Sequence, residues 1–221
     1  MTIDVASEAG VDKTVIILWK GFTAYNIISV KQKLPDTEEM IKELMITDGI
    51  ARHRVIIDSI GVGRGIYESI TGIKGFVANA RPMENINLDK REVVKNGKIV
   101  EVPEIENYGM LKDQCSYMFA DMTNKHQIAI KTNDEKIKEM IIQELEQIKN
   151  KNPHLDGKQQ VIPKDLVKEA IGRSPDLSDA LIMRMYFCLT NDDKLIDKNR
   201  QKQENDRERQ IASQLAQEEF N

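Results

Sequence analysis

An α/β fold with one mixed central sheet is predicted by three features of this sequence. Short β-branched runs open the chain, a strand that is apolar on both faces follows an amphipathic helix, and strand and helix then alternate. A length of 221 residues, with 40% hydrophobic and 31% charged side chains, suits one substantial domain with an appendage. Scarce Gly and Pro, beside apolar runs such as Val15-Ile16-Ile17-Leu18, exclude collagen-like, mucin-like and wholly disordered chains. No apolar stretch approaches the roughly 20 residues of a membrane span, and Met1 leads into a polar strand, not a signal sequence, so a soluble, unexported protein is expected. Cys115 and Cys188 each sit among apolar neighbours without a second Cys or a His at ligand spacing, which reads as two reduced core thiols.

The first elements form a meander. Thr2 to Ala6 is a short strand, Glu8 to Lys13 a turn, Thr14 to Trp19 a second strand, Lys20-Gly21 a turn, and Ala24 to Val30 a third strand, all three sequentially antiparallel. From Thr37, Met40, Ile41, Leu44 and Met45 recur at helical spacing behind the acidic pair Glu38-Glu39. Arg54 to Asp58 is then a strand whose centre, Val55-Ile56-Ile57, is apolar on both faces, as in a parallel or mixed sheet. Gly61 to Gly65 breaks it, a helix follows from about Ile66 to Ile70, and Gly75 to Ala78 is a further strand.

Between about 83 and 106 the pattern changes to charged alternation around Asn96-Gly97, a strong hairpin signal, read either as a solvated ribbon or as a finger that touches DNA or a partner. Tyr108 to Met122 and Asn133 to Lys149 are amphipathic helices, the second with Ile137, Met140, Ile141, Leu145 and Ile148 on its core stripe. Asp156 to Pro163 reads as a tight hairpin turning at Gly157-Lys158, and Lys164 to Glu169 as a brief helical turn. Ser174-Pro175-Asp176 opens a last helix, apolar almost all round through Leu189. Residues 1–190 thus form one domain, and 191–221 a charged, Gln-rich tail that needs a partner to order.

Four aspartates strain a purely structural account. Asp4 lies inside the first strand and Asp58 ends the buried one, while Asp176 and Asp179, three apart, point to one side of the most apolar helix. Taken singly, Asp176 could decorate a helix start, Asp58 could cap the turn into Gly61, and Asp4 could satisfy a nearby loop. Jointly they would converge if the two strands are neighbours and the helix packs across them. Like charges so placed repel unless a cation lies between them. Hard oxygen donors without His or Cys select magnesium or manganese, and two such ions roughly 4 Å apart clamp the attacking and leaving oxygens of phosphodiester hydrolysis. The glycines 61, 63 and 65 match neither the dinucleotide fingerprint nor a phosphate loop, and read as a tight turn behind Asp58 that leaves room for a phosphate.

Ile3-Asp4-Val5-Ala6 with Gly10-x-Asp12-Lys13-Thr14, then Ile57-Asp58-Ser59-x-Gly61-x-Gly63, then Gly172-Arg173-Ser174-Pro175-Asp176-Leu177-Ser178-Asp179-Ala180-Leu181, resemble in order the nuclease domain of the large terminase subunit of tailed bacteriophages. The resemblance spans roughly residues 1 to 190. It implies a ribonuclease H-like mixed sheet flanked by helices, with the hairpin as an insertion, and an endonuclease that cuts concatemeric viral DNA with two divalent cations, Mg2+ or Mn2+. By position, Asp4, Asp58 and Asp176 would be catalytic metal ligands with Asp179 beside them. Asp12 would support them from behind, and Lys164 would meet the scissile phosphate or else be a surface lysine. Arg64 would support the site or touch DNA. The last motif often reads His-Asp-Asp in relatives; here Ser174-Pro175 stand before Asp176, which leaves open whether Asp176 or Asp179 holds the second ion. The partners implied are double-stranded DNA, a terminase ATPase domain, a small terminase subunit and a portal protein, with no membrane, in the cytoplasm of an infected bacterial host. With Asp4 so close to the start and no phosphate loop, the chain is expected to be an excised domain or a separately encoded segment. A Holliday-junction resolvase-like nuclease, and a docking module with weak nuclease activity, are the alternative readings.

The formal net charge of -4 and a pI near 5.6 give no global positive field for DNA. Part of that excess is the acidic group itself.

Overall fold

The computed structural model describes residues 1–83, 90–95, 98–103, 107–151 and 157–190. A six-stranded mixed sheet runs through it in the order β5-β4-β1-β2-β3-β8. Strands β1 (Thr2–Asp4), β2 (Thr14–Lys20) and β3 (Thr23–Val30) form the expected antiparallel meander. Strands β4 (Ile56–Asp58) and β5 (Lys74–Phe76) then add in parallel on the β1 side. At the far edge β8 (Ala129–Ile130) pairs in parallel with β3; at two residues it is too short to leave a periodic signal in the sequence.

Alternation along the strands sorts the core into two layers. Ile3, Ile16, Leu18 and Ile57 face one way, against Ile41 of α1 (Leu34–Thr47) and Ile66 of α2 (Arg64–Ser69). Val15, Ile17, Ile56 and Phe76 face the other way. There they pack on α3 (Leu111–Asn124), α4 (Glu135–Leu145), α6 (Asp176–Ile182) and α7 (Met185–Leu189). Met1, Ile3 and the whole apolar run of β2 are buried, and the indole N–H of Trp19 donates to the Thr2 hydroxyl at 3.0 Å, closing the β1 edge of the second layer.

Several boundaries differ from expectation for identifiable reasons. The first helix starts at Leu34, with Pro35 in its first turn, where proline's missing N–H costs nothing. Lys164 begins a full helix, α5 (Lys164–Ile171), which Gly172 ends at φ 73°. The last helix is not continuous. It breaks at Met183-Arg184, where the buried Arg184 donates from Nε to the Gly21 carbonyl at 3.1 Å and lies 4.6 Å from the Phe22 ring centre. That anchoring to the β2–β3 turn outweighs one more turn of regular helix. Strands β6 (Lys90–Lys95) and β7 (Lys98–Pro103) form the expected separate antiparallel pair; its Asn96-Gly97 turn and the tail 191–221 lie outside the described residues. The hairpin expected over 156–163 falls partly outside them too, and its return arm makes single bridges, Asn150 with Val161 and Tyr108 with Gln159. Among the described residues no helix is long and apolar enough to cross a membrane.

Packing of α6 is the joint between the two halves of this layer, which gives a direct test. Leu181, with no exposed surface, should cost about 2–5 kcal/mol when cut to alanine, whereas Leu166→Ala on α5, 52% exposed, should change stability by less than about 1 kcal/mol in urea unfolding.

Candidate active site

Pairing register decides which carboxylates meet. Thr2 lies beside Ile56 and Ile3 beside Ile57 in the parallel pair β1–β4, so Asp4 and Asp58 end the two strands side by side. Both share the parity of Ile56, the layer that α6 covers, and α6 packs directly on β1 and β2. Asp176 is the first residue of α6 and Asp179 comes one turn later. The structure therefore brings Asp58, Asp176 and Asp179 near enough to Asp4 for each of the three charges to raise its proton affinity.

Each carboxylate has a different environment. Asp4 is only 8% exposed and accepts no hydrogen bond from the described residues. Burial, reinforced by the charges of Asp179, Asp176 and Asp58, holds its pKa well above the carboxylate range despite the Lys164 ammonium. Asp58 accepts the Ile60 amide at 3.0 Å, and burial raises its pKa. This tight turn depends on Gly63: a Cβ there would stand 2.1 Å from the Asp58 carbonyl oxygen. Asp176 accepts the Lys13 amide at 3.2 Å and is likewise raised by burial.

Asp179 differs from the other three. Its Oδ1 accepts from Lys112 Nζ at 2.6 Å and its Oδ2 from Lys164 Nζ at 2.8 Å; burial pushes its pKa up, but the two ammonium groups outweigh burial and lower it. Lys164 also stands 3.8 Å from Asp176. Burial alone would lower the Lys164 pKa, yet Asp179, Asp4 and Asp176 raise it, so the ammonium stays charged. The helices that carry the two lysines are tied together by Asp113, which accepts the Met110 amide at the start of α3 and the Val161 amide ahead of α5.

The remaining expected residues lie further out. Asp12 is half-exposed and 3.5 Å from Lys168; it reaches the group through its charge on Asp176 and through the adjoining Lys13 amide. Arg64 is 71% exposed on α2 and pairs with Glu68 at 2.8 Å, outside the acidic group. Sequence reasoning missed Lys112 and a buried pair behind the site, Glu144 of α4 with Arg173. A lysine in the first turn of an amphipathic helix carries no signal. Glu144, by contrast, sits seven residues after Ile137 on the apolar stripe, and an acid there was a legible anomaly.

Hard carboxylate oxygens around an unpartnered buried Asp4 suit a divalent cation. As the side chains stand, however, no three His, Cys, Asp or Glu among the described residues are placed to hold an ion, because both oxygens of Asp179 are turned to lysines.

Against known proteins, no family model and no curated protein matches the sequence. Solved structures do match. The nuclease domain of the large terminase subunit of bacterial virus Sf6 superimposes with a TM-score of 0.62 at 22% identity, over 83% of this chain and 85% of that one. The fold is that of a terminase nuclease domain. A point mutant of the Sf6 domain with manganese and beta-thujaplicinol gives 0.61 at 22% identity over 83% and 85%, and another with calcium gives 0.60 at 21% over 84% and 88%. The observed sheet is the α/β mixed sheet expected from the order of strands and helices, and its match to a terminase nuclease domain agrees with the fold that the resemblance implied.

The raised carboxylates fix the sign of a pH effect in metal-free protein. Glu144, pushed by burial to about 7 from an ordinary 4.5, binds its proton more tightly folded than unfolded. Its contribution is present below the unfolded value and lost as pH rises through about 7; Asp4, Asp58 and Asp176 act in the same direction. With a chelator present, the thermal unfolding midpoint should rise as pH is lowered from about 8 to about 6. A midpoint that falls over that interval contradicts the assignment.

Proposed function

We propose that this chain is a metal-dependent endonuclease that cleaves double-stranded viral DNA concatemers during genome packaging, by two-metal phosphodiester hydrolysis. The observation that carries this reading is the convergence of Asp4, Asp58, Asp176 and Asp179 at the ends of two parallel strands and the start of one helix. The terminase fold supports it, as do the manganese and calcium in the Sf6 structures.

Asp4, Asp58, Asp176 and Asp179 would hold the cations, Mg2+ or Mn2+, which acidify the attacking water and neutralise charge on the phosphate. Of the acids around Asp4 and Asp58, Asp179 exerts the largest like-charge effect on both. That favours Asp179 as the central third ligand, with Asp176 on the flank. Lys164 keeps a full positive charge beside the group, able to meet the scissile phosphate once it leaves Asp179. The tight turn at Gly63 holds the chain close behind Asp58 at the end of β4, where the Asp58 side chain is partly exposed. DNA, the packaging ATPase, the small terminase subunit and the portal are the partners this role requires.

Single substitutions separate the roles. Asp4→Asn and Asp58→Asn should each lower plasmid cleavage in Mn2+ by about a hundredfold or more with the fold kept, as judged by circular dichroism. Asp179→Asn should weaken Mn2+ binding more than Asp176→Asn does. Undiminished cleavage by the Asp4 and Asp58 variants overturns the proposed function.

A further inference from the structure

Placement of Asp179 depends on a carboxylate outside the acidic group. Helix α6 begins without a side-chain cap: Pro175 offers only its carbonyl, which accepts the Asp179 amide at 3.0 Å and the Ser178 hydroxyl at 3.0 Å. The Ser178 amide is one of the orphan donors at a helix start. It is met from α4, where Glu144 Oε2 accepts it at 2.7 Å. The other Glu144 oxygen takes the Arg173 guanidinium, which also donates to the Met140 carbonyl at 3.1 Å and to Gln143 Oε1 at 3.2 Å.

This is a costly way to cap a helix. Serine or aspartate at the cap position would serve locally, whereas here a carboxylate with a side chain 1% exposed is buried for the purpose and compensated by a partly exposed arginine. Burial of that kind is expected where a position must be held and stability is secondary. The position held is that of the residue before Asp179. Between the two acids lies a cavity of about 30 Å³ lined by Glu144, Ser178, Asp179, Lys112 and Lys164, so any shift of Glu144 opens onto the lysine contacts of Asp179.

We propose that Glu144, oriented by Arg173, is a positioning residue for Asp179: it fixes the first turn of α6 so that Asp179 stays beside Asp4 and Asp58 in the acidic group. The inference rests on the nuclease reading above and extends it to a residue that touches neither DNA nor cation. Its role differs from plain helix support because metal affinity, not only stability, depends on it. Outer partners that orient metal ligands cost about tenfold to a hundredfold in metal affinity when removed.

The test is a calorimetric Mn2+ titration of the full chain, with cleavage kinetics alongside. Glu144→Ala should weaken Mn2+ binding by about tenfold or more and lower kcat rather than raise KM. Glu144→Gln, whose one oxygen can still accept the Ser178 amide but whose NH2 cannot accept from Arg173, should weaken binding less than Glu144→Ala does. Where Glu144→Ala does not fold, Arg173→Met removes the orienting partner from the solvent side and should weaken binding in the same direction. Leu44→Ala, on α1 across the sheet, should lower the unfolding temperature and leave Mn2+ affinity unchanged. Wild-type Mn2+ affinity in Glu144→Ala, or in Arg173→Met where that stands in, overturns the positioning role and leaves the nuclease reading intact. A wild-type chain that binds no Mn2+ at millimolar concentration overturns both.

Discussion

A largely buried carboxylate, 13% exposed, with an ammonium on each oxygen is the contact on which the site depends. Asp179 joins three helices: its own α6, the preceding α5 through Lys164 and, from far earlier in the chain, α3 through Lys112. Two ion pairs to one carboxylate are a poor source of net stability, since removing three charges from water costs about what their attraction returns. What they supply is a unique arrangement. With either lysine absent, Asp179 would stand uncompensated beside Asp4, and the cheapest response would be protonation or rotation out of the group. The lysines thus allow a cluster of acids to be built and folded without a cation present, while no described residue hydrogen-bonds the Asp4 carboxylate.

The sheet supplies the other half of the geometry, and this part was legible. Asp4 and Asp58 end apolar strands, and for parallel neighbours in matched register strand alternation sends both to one face. The three-residue spacing of Asp176 and Asp179 gave the common side of the helix, and the apolar run after them gave its burial. Legibility failed where a side chain's meaning comes from another element. Lys112 looks like any solvated helical lysine until α3 is set against α6. Arg64 follows a glycine-rich turn, as a phosphate-binding residue would, yet its i+4 neighbour Glu68 pairs with it on an exposed face. The break at Arg184 was hidden because an arginine inside an apolar helix reads as an interruption to be tolerated, whereas here it is drawn to the Gly21 carbonyl and the Phe22 ring.

Local charge explains how an acidic chain can be expected to handle DNA. The formal net charge of -4 offers no long-range attraction, and within the site the four aspartates outnumber Lys112 and Lys164. Divalent cations would reverse that local sign, so that the same residues repel phosphate when bare and attract it when loaded. On the proposed nuclease reading, so few local positive contacts would give weak affinity for free duplex and favour DNA that is delivered to the site. Lys164 fits both conditions. In the structure its ammonium neutralises Asp179; on the proposed reading, cations held by the aspartates would take over that neutralisation and leave Lys164 free to meet a phosphate.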